Sequence, residues 1–335
     1  MCVVMYMCAV EGSSCRQWKW MEHLDEIGEG PVARTGKRGL LPEAAGGRRL
    51  IGNYRNGVPH FAYLSARNKA AYAALHGYKF LLVEKMFGRD RGIAWGKVKA
   101  MREALDECAW ALYVDVDSMI TNMTVTIPER LAARLPAKAA VAGSEAAAKA
   151  ALVGGSAPDV IMARDWNDLN SGVWMVRASR WGKAWLDSLW DQASPEGKHH
   201  PWNEQYDIQR WYRSHAVEAK EHFLVVPQRQ LQSYPSSTPG MGSNLENHGW
   251  HDGDWMVHYA GCGDQPGRSC EREFMQMWNH VGKAETEAAE REVVARGGQG
   301  RPFSPPLGLG VLLQGMESKP GMIEQFLDWL GIVKE

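Results

Sequence analysis

This sequence of 335 residues predicts an α/β fold, a mostly parallel central sheet flanked by helices. Three observations carry that expectation. Short apolar runs alternate with segments whose apolar residues recur every three or four positions, the order expected of strand and helix units. Gly77 closes a helical stretch over residues 61–76, where a C-terminal cap is needed before the strand-like residues 78–84. The apolar run at 110–114 ends in Asp115-Val116-Asp117, and sheets of this class bind ligands outside the carboxyl ends of their strands.

Taken in order, residues 2–7 read as a buried first strand. Residues 11–47 are rich in glycine and charge and, with the residues up to 50, read as a loop or insertion. After the 61–76 helix and the 78–84 strand, Trp95, Val98, Met101, Leu105 and Cys108 recur at helical spacing and lead into the 110–114 strand. Residues 131–158, rich in alanine and glycine, predict a short helix and a surface loop. Residues 169–176 predict a strand. Ser179 then stands where an N-cap opens a helix carrying Trp181, Trp185 and Leu189. A helix over 204–212 and strands at 223–226 and 255–259 complete a catalytic domain over residues 1–281. Residues 282–335 turn polar and then rich in Gly and Pro, which predicts a flexible tail, with an amphipathic helical pattern at 322–333.

Composition narrows the function. Lys plus Arg number 38 and Asp plus Glu 39, so no basic excess points to nucleic acid or to a membrane surface. Most of the 15 tryptophans are assigned to the core, although Trp also serves sugar-stacking surfaces. The six cysteines lack CxxC spacing, which argues against a zinc site; Cys262 and Cys270 can pair if the compartment is oxidising. The apolar run at 1–10 is too short to span a bilayer and lacks the basic flank of a signal peptide. The chain therefore reads as soluble, or as the catalytic part of a longer anchored protein.

Asp115 and Asp117 alternate, so in an extended strand they share a face. Two carboxylates that close repel one another. A divalent cation removes the repulsion, and a diphosphate can complete its shell. Further segments fall in order around the pair: Asn68-Lys69-Ala70-Ala71-Tyr72 with His76-Gly77-Tyr78; Ala94-Trp95-Gly96-Lys97-Val98-Lys99; Leu169-Asn170-Ser171-Gly172-Val173; Glu204-Gln205; and His258-Tyr259-Ala260-Gly261-Cys262.

In that order these motifs resemble glycosyltransferase family 34, the galactosyl-, xylosyl- and α-mannosyltransferases, over residues 51–263. The resemblance implies a Rossmann-like GT-A fold, a nucleotide-sugar donor (UDP-galactose, UDP-xylose or GDP-mannose), a glycan or polysaccharide acceptor, Mn²⁺ or Mg²⁺, and retention of anomeric configuration. It also implies a Golgi membrane or lumenal setting and assembly with itself or with other glycosyltransferases. Matched by position, Asp115, Asp117 and His258 would hold the metal, with Asp115 also at the ribose and Lys97 at the diphosphate. Asp168, Asn170, Ser171, Gly172 and Gly261 would meet donor or acceptor, and Glu204 and Gln205 the anomeric centre. Ser171 stands where the family has Thr, and Glu204 where it has Asp. The extra methylene of Glu204 weakens a strict nucleophile role and makes Gln205 an equal candidate.

Plainer readings stand beside these. Lys97 suits a solvated helix face, Glu204-Gln205 an exposed one, Asn170-Ser171-Gly172 a simple turn, and His258 a core histidine. Asn68 and His76 are read as supports of the fold. The sequon Asn122-Met123-Thr124 lies too near Asp117 to be expected to carry a glycan. Two rivals remain. A haloacid-dehalogenase-type phosphatase would use Asp115 as nucleophile and Asp117 as acid/base, but Met119 stands where that motif has Thr or Val. A non-catalytic homologue would bind glycans or scaffold a complex.

Overall fold

The computed structural model describes residues 1–6, 10–11, 14–15, 61–83, 87–131, 152, 157–236, 238, 245–263 and 267–296. Most of the 11–50 insertion, most of the 131–158 stretch and the 322–333 helix lie outside the described residues.

Strands β1 (Cys2–Tyr6), β4 (Lys79–Val83) and β5 (Trp110–Val114) pair in parallel, with Cys2 opposite both Lys79 and Ala111. β2 (Val10–Glu11) and β3 (Ser14–Cys15) form a short separate hairpin. The main sheet runs β4-β1-β5-β8-β7-β9, adding β7 (Val160–Asp165), β8 (Asp168–Arg177) and β9 (Phe223–Pro227). β8 is antiparallel to both neighbours, so the other five strands share one direction. This is the mostly parallel α/β sheet that the sequence predicts, with one strand reversed.

β5 reads Trp-Ala-Leu-Tyr-Val and is buried throughout, because helices cover both faces of the sheet. On one face α1 (Ala62–Leu75) packs with Val3, Met5, Leu112 and Val114; its expected C-cap glycine, Gly77, has φ +66°. On the other, α2 (Gly96–Ala104) and α4 (Arg180–Asp191) enclose Val4, Leu81, Tyr113 and Trp174. Ser179 caps α4 as expected, its side chain accepting from the Gly182 N–H. Between these lie β6 (Ser118–Ile120) and α3 (Ile127–Leu131). Later come α5 (Pro195–His199), α6 (Glu204–Ser214), α7 (Ala216–His222), α8 (Gln228–Leu231), α9 (Leu245–His248), β10 (Met256–His258) and α10 (Cys270–Met277).

The tail expected from residue 282 is corrected in its first part. Lys283–Ala295 forms a helix, α11, that lies along α1. It buries Thr286, whose hydroxyl accepts from Asn68 Nδ2 at 3.0 Å, and Ala289. Asn68 and His76 do support the fold: Asn68 bonds both backbone groups of Ile120, and His76 Nε2 meets the Met123 carbonyl at 2.7 Å. Two disulfides tie the described chain, Cys262–Cys270 as the sequence allows and Cys2–Cys108, which no spacing announced.

Candidate active site

The site forms where β5 ends. Asp115 and Asp117 occupy the turn between β5 and β6 rather than an extended strand, and Ser118 Oγ donates to the Asp115 carbonyl at 2.6 Å. The turn nevertheless aims both carboxylates at one side chain. His258 Nε2 lies 3.5 Å from Asp117 Oδ1 and 3.8 Å from Asp115 Oδ2. β10 supplies it, pairing antiparallel with β6 so that His258 faces Ser118. The imidazole is buried, and its Nδ1 meets Gln232 Oε1 at 2.5 Å. A carbonyl oxygen there makes Nδ1 the donor and turns Nε2 toward the aspartates.

Gly172 lets that imidazole in. A Cβ at this position would stand 2.2 Å from His258 Cε1, so only glycine admits the ring. Its carbonyl accepts from the Asp115 N–H at 2.8 Å, the continuation of a β5–β8 register that sets Val114 opposite Val173. Gly261, at φ +66°, turns the chain just past His258.

Burial of Asp117 would raise its carboxyl, but His258 first and Lys97 after it hold the net value below the usual carboxylate range. Beneath the turn, Lys69 is fully buried and donates to Ser65 Oγ and to the Ser118 carbonyl at 2.8 Å, while Ser65 Oγ donates to the Val116 carbonyl at 2.6 Å. Burial pulls the Lys69 ammonium down to about 7, against the opposing pull of Asp117 and Asp115. Lys69 stands inside the Asn68–Tyr72 motif, where nothing in the sequence marks its burial.

Lys97 does not sit on a solvated helix face. It is buried between two carboxylates, 2.9 Å from Glu204 Oε1 and 3.3 Å from Asp115 Oδ1. Burial works against its charge, yet Asp115 and Glu204 outweigh it and raise its affinity for the proton. Tyr113 adds a hydrogen bond from its hydroxyl to Asp115 Oδ1 at 2.8 Å.

Glu204 is likewise buried, 1 % exposed, so the exposed-helix reading of this pair is corrected as well. Its Oε1 accepts from Ser171 Oγ at 2.7 Å, and Oε2 has no hydrogen-bond partner. Burial raises its carboxyl above the ordinary range, with Lys97 and Ser171 opposing. Gln205 Oε1 accepts from the Ser171 N–H at 2.9 Å. Lys97, Asp115, Ser171, Glu204 and Gln205 thus form one connected network.

Two residues expected to meet donor or acceptor are bonded within the fold. Asn170 uses its amide within the fold: Nδ2 donates to Tyr234 Oη and Asp165 Oδ2, and Oδ1 accepts from the Gly172 N–H. These bonds hold β8 at Asn170 against Asp165 and Tyr234. Asp168 begins β8 at φ +82° and pairs with Arg164 and Arg213, each at 3.1 Å. Trp95 is a core residue, with Nε1 donating to the Gly197 carbonyl at 3.0 Å. Gln232, Tyr234 and Ser65 were missed; nothing in their local sequence marks them.

Asp115, Asp117 and His258 offer three ligand atoms within 4.8 Å of one another. Two carboxylate oxygens and an imidazole nitrogen suit a borderline divalent cation such as Mn²⁺, and Nε2 is the ring nitrogen that faces the carboxylates.

The family model described as the galactosyl transferase GMA12/MNN10 family matches residues 51–271. The chain belongs to this family. Among curated relatives, a probable α-1,6-mannosyltransferase of Saccharomyces cerevisiae is 27% identical over 233 residues, covering 62% of this chain and 56% of its own. An uncharacterized α-1,2-galactosyltransferase of Schizosaccharomyces pombe is 27% identical over 251 residues, 69% of this chain and 70% of its own. A second from that yeast is 23% identical, and the match spans only 55% of its length. The chain thus spans little more than half of two of these three relatives. A solved glycosyltransferase involved in glycosylation of the PBCV-1 major capsid is also similar, at 14% identity and a TM-score of 0.42, covering 65% of this chain and 91% of that one.

Proposed function

We propose that the chain is a metal-dependent, retaining glycosyltransferase that moves a hexosyl or pentosyl unit from a nucleotide sugar to a glycan acceptor. The observation that carries this reading is the convergence of Asp115, Asp117 and His258 on one point at the end of β5. Mn²⁺ or Mg²⁺ bound there would act as Lewis acid toward the departing nucleoside diphosphate. Family membership supports UDP-galactose, UDP-xylose or GDP-mannose as donor, and a Golgi lumenal setting in which the two disulfides would persist. No described helix is long and apolar enough to cross a membrane.

The protein's own groups divide the remaining work. Lys97, held between Asp115 and Glu204, keeps the Asp115 carboxylate fixed while its single charge offsets part of the repulsion between the two carboxylates. Glu204 is ion-paired through Oε1, which blunts it as a nucleophile and favours same-face attack through an ion-pair transition state. Its orphaned Oε2 is a buried acceptor that a donor-sugar hydroxyl would satisfy. Gln205 orients Ser171 and lies beside it.

Asp117→Ala or His258→Ala should abolish Mn²⁺-dependent transfer and hydrolysis of the nucleotide sugar while leaving the circular dichroism spectrum intact. Full activity in either variant would sink the assignment. A thermal-shift screen of the three nucleotide sugars, with and without Mn²⁺, identifies the donor, because a bound ligand stabilises by mass action.

A further inference from the structure

A second set of ligand atoms lies against Asp117. Cys262, buried, places its Sγ 3.7 Å from Asp117 Oδ2, and its disulfide partner Cys270 completes a group of one carboxylate oxygen and two sulfurs within 4.8 Å of one another. Joined as a disulfide the sulfurs are poor ligands, because the thiolate is the form that binds metal.

We propose that opening the Cys262–Cys270 disulfide converts Asp117, Cys262 and Cys270 into a site for a thiophilic divalent cation such as Zn²⁺, in competition with the Asp115–Asp117–His258 set. A dithiol supplies the two electrons and two protons. The S–S bond breaks, two thiols form, and the dithiol leaves as its own disulfide. The cation then forms two metal–sulfur bonds and releases two thiol protons to solvent, with no change in its oxidation state. Two sulfurs and one oxygen favour Zn²⁺ or Cd²⁺ over Mn²⁺.

The fold keeps the thiols together after the bond opens. The Cys262 N–H donates to the Tyr259 carbonyl at 2.8 Å. Arg268 bridges the intervening turn, donating to the Ala260 carbonyl at 2.9 Å and pairing with Glu273 at 2.6 Å. Ser269 caps the helix that Cys270 begins. Asp117 belongs to both sets, so a cation held by the thiolates withdraws a ligand from the other. That consequence rests on the metal-dependent reading above; the thiolate site itself does not.

The test takes the full chain, opens the disulfides with a phosphine that ends as its oxide, removes it, confirms the fold by circular dichroism, and titrates Cd²⁺. Reduced wild type should develop a thiolate-to-cadmium charge-transfer absorption at one cation per chain. Oxidised wild type and reduced Cys262→Ser/Cys270→Ser, which keeps the other cysteines, should not. Asp117→Asn should keep the band and weaken Cd²⁺ at least about tenfold. A band of equal size in the double variant, no band in reduced wild type, or unaltered affinity in Asp117→Asn overturns the proposal. Mn²⁺-dependent hydrolysis of a nucleotide sugar is followed alongside. With Mn²⁺ in large excess, one equivalent of Zn²⁺ should inhibit it more strongly in the reduced protein than in the oxidised one. If hydrolysis is absent from the start, the transferase reading fails while the band still decides the thiolate site.

Discussion

Gly172 shows how narrowly one residue sets the site. Its missing Cβ is the space in which the His258 ring lies, so Gly172→Ala drives a methyl into the imidazole. Overpacking of this kind costs about 1–3 kcal/mol. Relief by moving the ring would pull Nε2 off the aspartates. Isothermal titration should therefore find Mn²⁺ affinity at least about tenfold lower in a protein that still folds. Gln232→Leu attacks the same nitrogen from behind, since Nδ1–H loses its acceptor and the tautomer is no longer fixed. A loss of about 10- to 100-fold in Mn²⁺ affinity is expected, and an unchanged affinity would remove Gln232 from the site. Lys69 makes a pH-dependent statement. Its folded value, about 7, lies below the ordinary lysine value of 10.5, so above pH 7 the unfolded chain holds a proton that the native one has released. The destabilisation is complete below about pH 7 and fades as pH rises toward 10.5. In chelator, urea midpoints measured from pH 6.5 to 9.5 should move in favour of wild type relative to Lys69→Met as pH rises.

At the scale of elements, apolar runs and caps made most of the fold legible. Trp110–Val114 ends where the apolar run ends, and Ser179 caps the helix it was expected to cap. Direction was not legible: Leu169–Val176 is buried on both faces, and a doubly buried strand reads the same whether parallel or reversed. The burial of Lys97 was not legible because its partners, Asp115 and Glu204, arrive from other elements and leave no mark on its own helix. The proposed metal set was legible because Asp115 and Asp117 stand together and His258 lies in a recognisable motif, whereas Gln232 bonds His258 from an ordinary stretch of chain. α11 escaped notice because it buries little besides Thr286 and Ala289. Its docking is specific even so. Gly282 lies against Met119, where a Cβ would approach the sulfur to 2.2 Å, and Thr286 receives Asn68. Thr286→Val keeps the shape and removes that acceptor, which should cost about 1 kcal/mol in chemical denaturation. Wild-type stability in this variant would mean that α11 lies on α1 without bracing it.

Over the whole molecule, β1 is a strand held by a covalent tie as well as by its neighbours. It lies between β4 and β5, and the helix that covers it begins only at Ala62. Cys2, at its first residue, is bonded to Cys108, which follows α2, with a sequence separation of 106. Closing a loop of about 100 residues lowers the entropy of the unfolded chain by an amount worth about 4.7 kcal/mol in the chain-entropy model. Measured values for disulfides run to about 2–4 kcal/mol, so Cys2→Ala/Cys108→Ala should lose about that much unfolding free energy. The metal set draws no ligand from β1, so Mn²⁺ affinity in the folded variant should match wild type. The two disulfides then separate by experiment: loss of Cys2–Cys108 lowers the denaturation midpoint and leaves metal preference alone, whereas opening Cys262–Cys270 alters the cation held beside Asp117. A Cys2→Ala/Cys108→Ala protein as stable as wild type would show that the buried edges of β1, paired on both sides, hold the strand without a covalent tie.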